Sequence, residues 1–369
     1  MNDARRILIL VSFVNLAGAQ IAALRLARGL RDRGHDPRVV FLYQVSPIPN
    51  PDHPYEVLLD EAKPGVGGYA SLVGAVTRLL RQERPGVVLT FMPFASVLGQ
   101  AAAAAAGVQR RVISHRVPVA TIRPVWRVLD TVWAWSGIYT DVIAVSDGVR
   151  QGCRTYPTRL RQRMTVVHNG LFDWQPSRLD REAARRLFGI SDGALALVSV
   201  GRLAPQKNYA LLLRVLQHID NVILLIAGDG AEREALETLA RQLGVAGKLR
   251  FLGALSRDAV PDLLAAADVF VQSSTFEGQS NALLEALQAG LPIVAHDVPE
   301  QRETIAEADG ATAGALVPLN DVDAWVAAIE RLRHDTAAAC AARDVAARRA
   351  QLFRFDKMVS GFERILTGA

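Results

Sequence analysis

Short runs of β-branched and other apolar residues alternate with longer amphipathic segments along this chain, and that alternation restricts the fold more than any other feature of the sequence. Strands that alternate with helical segments indicate parallel sheets with crossover helices. The sequence therefore predicts an α/β protein with two Rossmann-like domains. The strand-like runs are Ile7–Val11, Val39–Tyr43, Val87–Thr90, Arg111–Ser114 and Val142–Val145 in the first half, and Leu195–Val200, Val222–Ala227, Leu249–Leu252, Val269–Gln272 and Pro292–Ala295 in the second half.

The length of 369 residues fits two domains of ordinary size. The strand-like MTVV is followed by HNG at 168–170, where the chain is expected to leave the first domain. We therefore predict a first domain at 1–170 and a second at 171–350. The last segment, 351–369, contains a helical pattern that is expected to pack back on the first domain.

The sequence also argues against secreted and membrane-spanning classes of protein. Cys153 and Cys340 are far apart, which indicates packing residues in a reducing cytoplasm rather than a disulfide framework. The first residues run directly into ILILVSF without the cleavage pattern of a signal peptide. Residues 87–108 carry no charge, but Pro93 and Gln100 interrupt them, so we predict a buried strand, a turn and a buried helix there.

Charge is distributed unevenly between the two halves. Residues 1–170 contain 21 Lys and Arg against 11 Asp and Glu, whereas residues 171–369 contain 21 against 26. A basic half can attract nucleic acid, anionic lipid or a phosphorylated acceptor. Between Arg110 and Tyr139 the cations are interleaved with tryptophans, as in a segment that contacts an anionic membrane surface, and no nucleic-acid partner is expected. A solvated basic face with core tryptophans is the alternative.

A helix start is the clearest local signal in the second half, in the sequence EGQSNALLEALQAG at 277–290. Ser280 is a favourable N-cap and Gly290 a favourable residue after a helix, so we predict a helix at 281–289. The first backbone amides of such a helix favour phosphate. These amides belong to Asn281, Ala282 and Leu283.

Two carboxylates flank this helix start. Glu277 precedes the helix and Glu285 lies within it, so both can accept hydrogen bonds from sugar or ribose hydroxyls of a ligand docked there. A nucleotide sugar offers both phosphate and hydroxyl groups. The alternative is that Glu285 is a solvated helix residue and that Glu277 only favours the helix dipole.

A second polar loop follows the strand-like run that ends at Val200. Gly201 opens the turn, and Arg202 and Lys207 follow in the loop and the first helical turn. Two cations placed in this way can converge on one diphosphate, with arginine supplying a fork of donors and lysine a point charge. Surface cations near a helix start are the less favoured alternative, because positive charge opposes the helix dipole there.

Three further loops carry weaker signals. Gly18 would let the backbone approach a phosphate or sugar after the first strand, although many strand-to-helix turns need a glycine. GDG at 228–230 lacks the third glycine of a dinucleotide fingerprint, since Arg233 occupies that place, and we interpret it as a tight turn. FLGAL, which ends at Leu255, either cradles a nucleobase or is a plain loop.

Taken together, VGRL with Lys207, GDGAERE, FLGAL and EGQSNALLEALQAGLPIVA resemble the retaining glycosyltransferases of family 4. In the first half the resemblance depends on GAQ with ARGLRDRGH, on IAVSDGVR and on VVHNG. This family has the GT-B architecture of two facing Rossmann-like domains with a cleft between them. The resemblance covers most of the chain and is strongest at 198–295.

The resemblance implies a role for each matching residue. Arg202 and Lys207, beside Gly201, would neutralise the donor diphosphate, Glu277 would bind the donor sugar and Glu285 the ribose. The amides of 281–283 would complete the phosphate cradle, and Gly18 would face it from the other domain. His115 matches a histidine near the transferred sugar, with a structural histidine as the alternative. Two departures concern the first domain: Ala17 replaces a glycine of the usual pair, and His168 replaces a proline.

The function expected from this resemblance is a retaining, metal-independent transfer of a sugar from a UDP- or GDP-linked donor to a glycan or lipid-linked acceptor. It needs no cofactor, and it would serve envelope polysaccharide or glycolipid synthesis in the cytoplasm, at the inner face of the membrane. Two rivals remain: a nucleotide-sugar epimerase of the same architecture, and a nonenzymatic nucleotide-sugar-binding protein.

Overall fold

The computed structural model describes residues 5–14, 18–48, 51–60, 65–171 and 174–368. These residues form two compact units: the first contains the chain up to residue 172 together with the segment from Phe355 onward, and the second contains the residues between them. Each unit is built on a parallel sheet with helices on both faces. The fold is therefore that of two Rossmann-like domains.

The first unit contains a seven-stranded sheet in the order β3-β2-β1-β4-β5-β6-β7, and every pair of neighbours is parallel. Its strands are β1 Arg6–Val14, β2 Asp36–Gln44, β3 Tyr55–Leu59, β4 Val87–Phe91, β5 Arg110–His115, β6 Asp141–Ala144 and β7 Met164–Val166. Its helices are α1 Gly18–Asp32, α2 Val66–Glu83, α3 Pro93–Ala105, α4 Pro124–Ser136, α5 Asp147–Gly152 and α6 Thr158–Arg161.

Alternate side chains of β1 enter two different cores. Ile7, Ile9 and Val11 join the cluster that contains residues of α1, whereas Leu8 and Leu10 join the cluster that contains residues of α2 and α3. A strand covered by helices on both faces reads as a continuous apolar run, because neither face meets water. That is why ILILV gave a strong strand signal without alternation of polar residues.

The second unit contains a six-stranded parallel sheet in the order β10-β9-β8-β11-β12-β13. Its strands are β8 Leu195–Val200, β9 Val222–Ala227, β10 Leu249–Gly253, β11 Val269–Gln272, β12 Ile293–His296 and β13 Gly314–Val317. Its helices are α7 Arg181–Leu187, α8 Tyr209–Leu216, α9 Arg233–Gln242, α10 Ala259–Ala266, α11 Asn281–Gln288, α12 Pro299–Ile305, α13 Val322–His334 and α14 Thr336–Ala350.

The last helix, α15 Phe355–Thr367, belongs to the first unit. Its side chains Met358, Val359 and Phe362 are buried in the same cluster as β1 and α1, and the Phe362 ring stacks on Phe91 with centroids 6.2 Å apart. Close approach requires a glycine on α1, since a Cβ on Gly29 would lie 2.5 Å from a methyl of Val359. The first unit therefore contains two segments that are distant in the chain.

The strands β1, β2, β4, β5 and β10 extend the predicted runs by one to three residues at an end, β6 and β12 are shifted by one residue, and β8, β9 and β11 match the prediction residue for residue. The predictions missed β3 and β13. Both are edge strands whose residues are mostly only half-buried, so they lack a strong apolar run.

The uncharged segment 87–108 forms β4 and α3, as predicted, with Pro93 in the first turn of the helix. Among the described residues, no helix has both the length and the apolar character that crossing a bilayer requires. The cysteine prediction was wrong for one residue: Cys153 is buried, but Cys340 lies on an exposed position of α14 and packs into no core.

Candidate functional site

The carboxyl ends of β8 and β11 form the switch point of the second sheet, because the chain continues from β8 to β9 on one side and returns to β11 on the other. Ligands of open α/β sheets bind outside the carboxyl ends of the strands at such a point. The loops 201–208 and 273–280 leave the sheet here. Most residues that the sequence predicted for donor binding lie in these two loops or in the helix that follows the second.

Glycines let two loops at this edge pack backbone to backbone. A Cβ on Gly228, after β9, would lie 1.9 Å from the carbonyl oxygen of Gly201, after β8, and a Cβ on Gly230 would lie 2.3 Å from that of Leu203. The Leu203 amide donates a hydrogen bond to the Asp229 carbonyl over 3.0 Å. The GDG sequence is thus a tight turn that supports the Gly201 loop.

Lys207 and Glu277 form an ion pair across the two loops, with Nζ 2.6 Å from Oε1. The Lys207 side chain is only 16% exposed and that of Glu277 only 10%, so the pair is largely shielded from water. The sequence predicted separate roles for these residues, one on the diphosphate and one on the sugar. In the structure, each is the direct partner of the other.

Hydrogen bonds between the same two loops fix the ion pair in place. The Ser273 hydroxyl lies 2.9 Å from the Lys207 carbonyl and 3.0 Å from that of Asn208, and the Thr275 amide donates to the Gln206 carbonyl over 2.8 Å. Because all three contacts are made to main-chain carbonyls of residues 206–208, the position of Lys207 follows from the course of the loops.

Helix α11 begins where the sequence predicted, at Asn281, with Ser280 as its N-cap. The Ser280 hydroxyl accepts a hydrogen bond from the Leu283 amide over 3.4 Å and donates one to the Gln272 side chain over 2.8 Å. The cap therefore occupies the Leu283 amide. Of the three amides expected to form a phosphate cradle, that of Leu283 is therefore used within the protein.

The remaining predicted donor residues differ in exposure. Arg202 is exposed and, within the described part of the chain, makes no ion pair, so its guanidinium is accessible to an anion. Glu285 is half-buried on α11, and Leu255 is half-buried directly after β10. Among the described residues, no three side chains of the His, Cys, Asp and Glu types cluster as a metal site would require.

The sequence reasoning missed one carboxylate at this edge. Glu300 lies in the first turn of α12, after β12, and is only 6% exposed. Burial raises the pKa of this carboxyl, and the charges of Glu303 and Glu277 raise it further. The signal was available in HDVPE, where a strand end, a proline and an acidic residue mark another helix start at the same sheet edge.

In the first unit, His115 ends β5 and is held by a buried polar network. Its Nε2 atom lies 2.7 Å from the Tyr156 hydroxyl, which also contacts the buried Asp130 carboxylate, and the Tyr139 hydroxyl donates to Asp130 over 2.9 Å. Burial and the Asp130 charge raise the pKa of both tyrosines, so both keep their protons.

This network places a proton on the Nε2 atom of His115. A tyrosine hydroxyl has a single proton, and the Asp130 carboxylate can only accept hydrogen bonds. The Tyr156 proton therefore points to Asp130, and its oxygen accepts the proton of His115 Nε2. The Asp130 carboxylate also lies 3.7 Å from Nε2, and among the described residues the Nδ1 atom of His115 takes no hydrogen-bond partner.

Gly18 begins α1 at the carboxyl edge of the first sheet, as the sequence predicted for a strand-to-helix turn. The preceding Ala17, which departs from the usual glycine pair, lies outside the described residues.

Helix α4 presents an apolar face to solvent within the predicted interfacial segment. Trp126 and Trp133 are partly buried against the neighbouring core and Tyr139 is buried, whereas Trp135 is exposed. The exposed face consists of Val125, Val128, Val132 and Trp135, which are 58%, 60%, 47% and 67% exposed.

Comparison with known families divides the chain as the structure does. Residues 16–171 match the model described as Glycosyltransferase Family 4, and residues 180–350 match the model described as Glycosyl transferases group 1.

Several curated proteins are similar to the chain. An uncharacterized glycosyltransferase of Methanocaldococcus jannaschii is 34% identical over 44% of the chain, and the D-inositol 3-phosphate glycosyltransferase of Mycolicibacterium smegmatis is 31% identical over 56%. The UDP-Gal:alpha-D-GlcNAc-diphosphoundecaprenol alpha-1,3-galactosyltransferase of Escherichia coli is 27% identical over 70% of the chain and 69% of its own length. The chain spans only 44% and 49% of the lengths of the first two relatives.

Solved structures share the whole fold. Anabaena HepE in complex with UDP-glucose superposes with a TM-score of 0.84 over 99% of this chain and 100% of its own, at 20% identity. WaaG, a glycosyltransferase involved in lipopolysaccharide biosynthesis, gives 0.74 over 98% of this chain and 100% of its own, at 19% identity. These likenesses establish a common architecture of two Rossmann-like domains, the GT-B class.

Proposed function

Because both of its domains are matched by these models, the chain belongs to the family 4, group 1 glycosyltransferases, and we propose that it moves a sugar from a nucleoside-diphosphate sugar to an acceptor hydroxyl. The observation that carries the proposal is the shielded Lys207–Glu277 pair at the switch point of the second sheet. An ammonium group suits phosphate and a carboxylate suits sugar hydroxyls, so the pair offers both functions that such a donor needs.

The donor site assigned by this proposal follows the described geometry. Arg202 is accessible and supplies a fork of donors, Lys207 supplies a point charge, and the start of α11 adds backbone amides, all suited to a diphosphate. Glu277 binds sugar hydroxyls and Glu285 the ribose, while Gly201 and Leu255 line the approach of the nucleotide.

The proposed reaction retains the configuration of the sugar and needs no metal ion. The bond between the anomeric carbon and the diphosphate breaks, and the acceptor oxygen bonds to the same carbon from the same face. The acceptor proton passes to the leaving phosphate oxygen. Arg202 and Lys207 stabilise the negative charge that develops on the diphosphate, and preorganised groups of this kind contribute several kcal/mol, about 3–4 for a single donor.

His115 serves this proposal as a hydrogen-bond acceptor. Its Nε2 proton is committed to Tyr156, so its Nδ1 atom can accept a hydrogen bond from a sugar hydroxyl. A neutral acceptor suits a hydroxyl, whereas a protonated imidazole would repel the positive charge that forms on the sugar.

The names of the similar proteins suggest the substrates. HepE binds UDP-glucose, and the Escherichia coli relative is named for transfer from UDP-galactose to a lipid-linked diphosphate sugar. We propose a UDP- or GDP-sugar donor and a glycan or lipid-linked acceptor in envelope polysaccharide or glycolipid synthesis, in the cytoplasm.

The exposed face of α4 supports a further element of the proposal, which is peripheral contact with an anionic membrane. Three valines and Trp135 can enter the interface while Arg123 and Arg127, both exposed, meet the head groups. The test is flotation with phosphatidylglycerol vesicles. Val128→Ser with Val132→Ser should abolish binding, whereas Leu187→Ser, which removes an exposed leucine of the second unit, should leave it unchanged.

The central test is a panel of UDP, GDP, ADP and their sugars, measured as shifts in the melting temperature. A donor present at 100 times its dissociation constant stabilises the folded protein by about 2.7 kcal/mol. Transfer is then assayed with the stabilising donor. Conversion of the donor without acceptor would favour an epimerase, and binding without any turnover a nonenzymatic protein. Absence of any nucleotide effect would refute the donor site.

A further inference from the structure

Arg116, which directly follows β5, places a buried cation at the carboxyl edge of the first sheet. Its guanidinium donates through Nη2 to the side-chain oxygen of Asn169 and lies over the Phe91 ring, 5.6 Å from the centroid. Its Nη1 atom is buried and has no hydrogen-bond partner. Among the described residues Arg116 makes no ion pair, so one neutral amide and one ring are all that compensate its charge.

Two half-buried arginines of the chain are satisfied differently. Arg111, on β5, donates to the carbonyls of Ile138, Val108 and Gly137 at 2.6–3.1 Å. Arg349 also lies over a phenylalanine ring, but it donates to two main-chain carbonyls. Burial lowers the pKa of all three arginines, that of Arg116 to about 10. Arg116 differs because it lacks carbonyl acceptors.

A buried charge without a counter-charge is costly, and buried polar atoms of folded proteins nearly always have partners. The position of Arg116 in the sheet suggests why its Nη1 atom has no partner. Arg116 follows the strand next to β4, and β1 and β4 form the switch point of this sheet, where ligands of such folds bind. The missing partner of Arg116 is therefore expected to come from a ligand.

A second feature on the same face of the sheet favours an anion. Side chains alternate along β5, so Arg116 shares a face with Val112, which packs in the cluster that contains α1. Helix α1 starts at Gly18 at the carboxyl edge of this sheet, and the start of a 15-residue helix favours negative charge. His115 lies on the opposite face, in contact with Tyr156.

We propose that Arg116 is the cationic centre of an anion-binding site at the carboxyl edge of the first sheet, and that this site takes a phosphate group. The guanidinium fork matches two phosphate oxygens, and its unpaired Nη1 supplies a free donor. The phosphate can come from the donor diphosphate or from a phosphate-bearing acceptor. The naming of these two sources rests on the function proposed above, whereas the phosphate site itself does not.

The test compares Arg116→Met with Arg111→Met, the replacement of a half-buried arginine of β5. Melting temperatures of the full chain are measured with inorganic phosphate and with sodium chloride at equal ionic strength. Phosphate near ten times its dissociation constant should raise the melting temperature of the unmodified protein by about 3–6 °C. Arg116→Met should be at least as stable as the unmodified protein without phosphate, and phosphate should stabilise it less than it stabilises the unmodified protein, since only the donor site of the second unit then remains.

Arg111→Met should show the reverse pattern, with a lower melting temperature and an intact phosphate response, because it loses hydrogen bonds and not a ligand site. Equal stabilisation of the unmodified protein and Arg116→Met by phosphate would overturn the proposal. So would a loss of stability in Arg116→Met as large as that in Arg111→Met, since this would make Arg116 a structural residue.

Calorimetric titration with UDP and GDP then identifies the source of the phosphate. At least tenfold weaker nucleotide binding by Arg116→Met assigns the site to the donor diphosphate. Unchanged nucleotide binding, together with a weakened phosphate response, assigns it to the acceptor. If the unmodified protein bound no nucleotide, the proposed function would fail, but the phosphate measurement would still decide the role of Arg116.

Discussion

Replacing Lys207 by methionine would leave the Glu277 carboxylate, which is only 10% exposed, without the ammonium group that lies 2.6 Å away. Removal of one partner from a buried ion pair costs about 3–5 kcal/mol. Because the Lys207 side chain is 16% exposed, we expect the lower end of that range. With an m value of about 3 kcal/mol per M in urea, a loss of about 3 kcal/mol lowers the midpoint of unfolding by about 1 M.

The assay must report on the second unit alone, since a chain of two units need not unfold in one step. Hydrogen exchange of peptides from β8 and β11, measured across a urea series, isolates the relevant sheet. Transfer activity is measured in parallel, and Lys207→Met should abolish it because the cation for the leaving diphosphate is lost.

A double-mutant cycle tests whether the two residues act as a pair. Glu277→Gln combined with Lys207→Met removes both charges, so its stability should return to within about 1 kcal/mol of the unmodified protein, with transfer still absent. Strictly additive losses, or an unchanged midpoint for Lys207→Met alone, would refute the reasoning.

Three further predictions follow from single contacts. Tyr156→Phe should remove the preference of His115 for a proton on Nε2, which ¹⁵N spectra of the imidazole report. It should also slow transfer about tenfold, which corresponds to the loss of one hydrogen bond. Unchanged imidazole spectra would contradict the network. Burial raises the pKa of Glu300 above its unfolded value, so its contribution to stability is present at low pH and lost as the pH rises through the raised pKa. Glu300→Gln should therefore raise the melting temperature at pH 7 but not at pH 4, and an equal effect at both would count against this. Gly228→Ala should disrupt the second unit and abolish nucleotide binding. Gly244→Ala, whose Cβ would have no atom within 4 Å, should lower the free energy of unfolding by only about 1 kcal/mol. Equal losses of stability in the two variants would refute the role of the loop packing.

The buried strands could be predicted from the sequence because helices cover both of their faces. β8 was predicted to the residue, since LALVSV is apolar and bounded by polar segments. Two edge strands, β3 and β13, were not predicted, whereas the edge strands β7 and β10 were. Glu56 interrupts the apolar residues of β3, and β13 begins with a glycine.

The candidate site could be predicted as a set of residues but not as a set of contacts. Strand ends gather at one edge of a parallel sheet, which is why Lys207 and Glu277 could be assigned to one region. Their direct pairing depends on the loops between residues 201 and 208 and between 273 and 280. Hydrogen bonds from the Ser273 hydroxyl and the Thr275 amide to main-chain carbonyls set the course of these loops, and the sequence pattern did not predict them. Tertiary packing likewise decided that Trp126 and Trp133 face the core and that Cys340 does not.

The membership of α15 in the first unit has a consequence for biosynthesis. A ribosome releases β1 to β7 first, yet the cluster around Phe91 and Leu24 lacks Phe362 and Val359 until the whole second unit has been made. The first unit to emerge is thus the last whose core can be completed. Until then the surface of α1 at Gly29, against which α15 packs, stays exposed to solvent. A chain that ends near residue 354 and has left the ribosome would present a finished second unit together with a first unit whose core is incomplete.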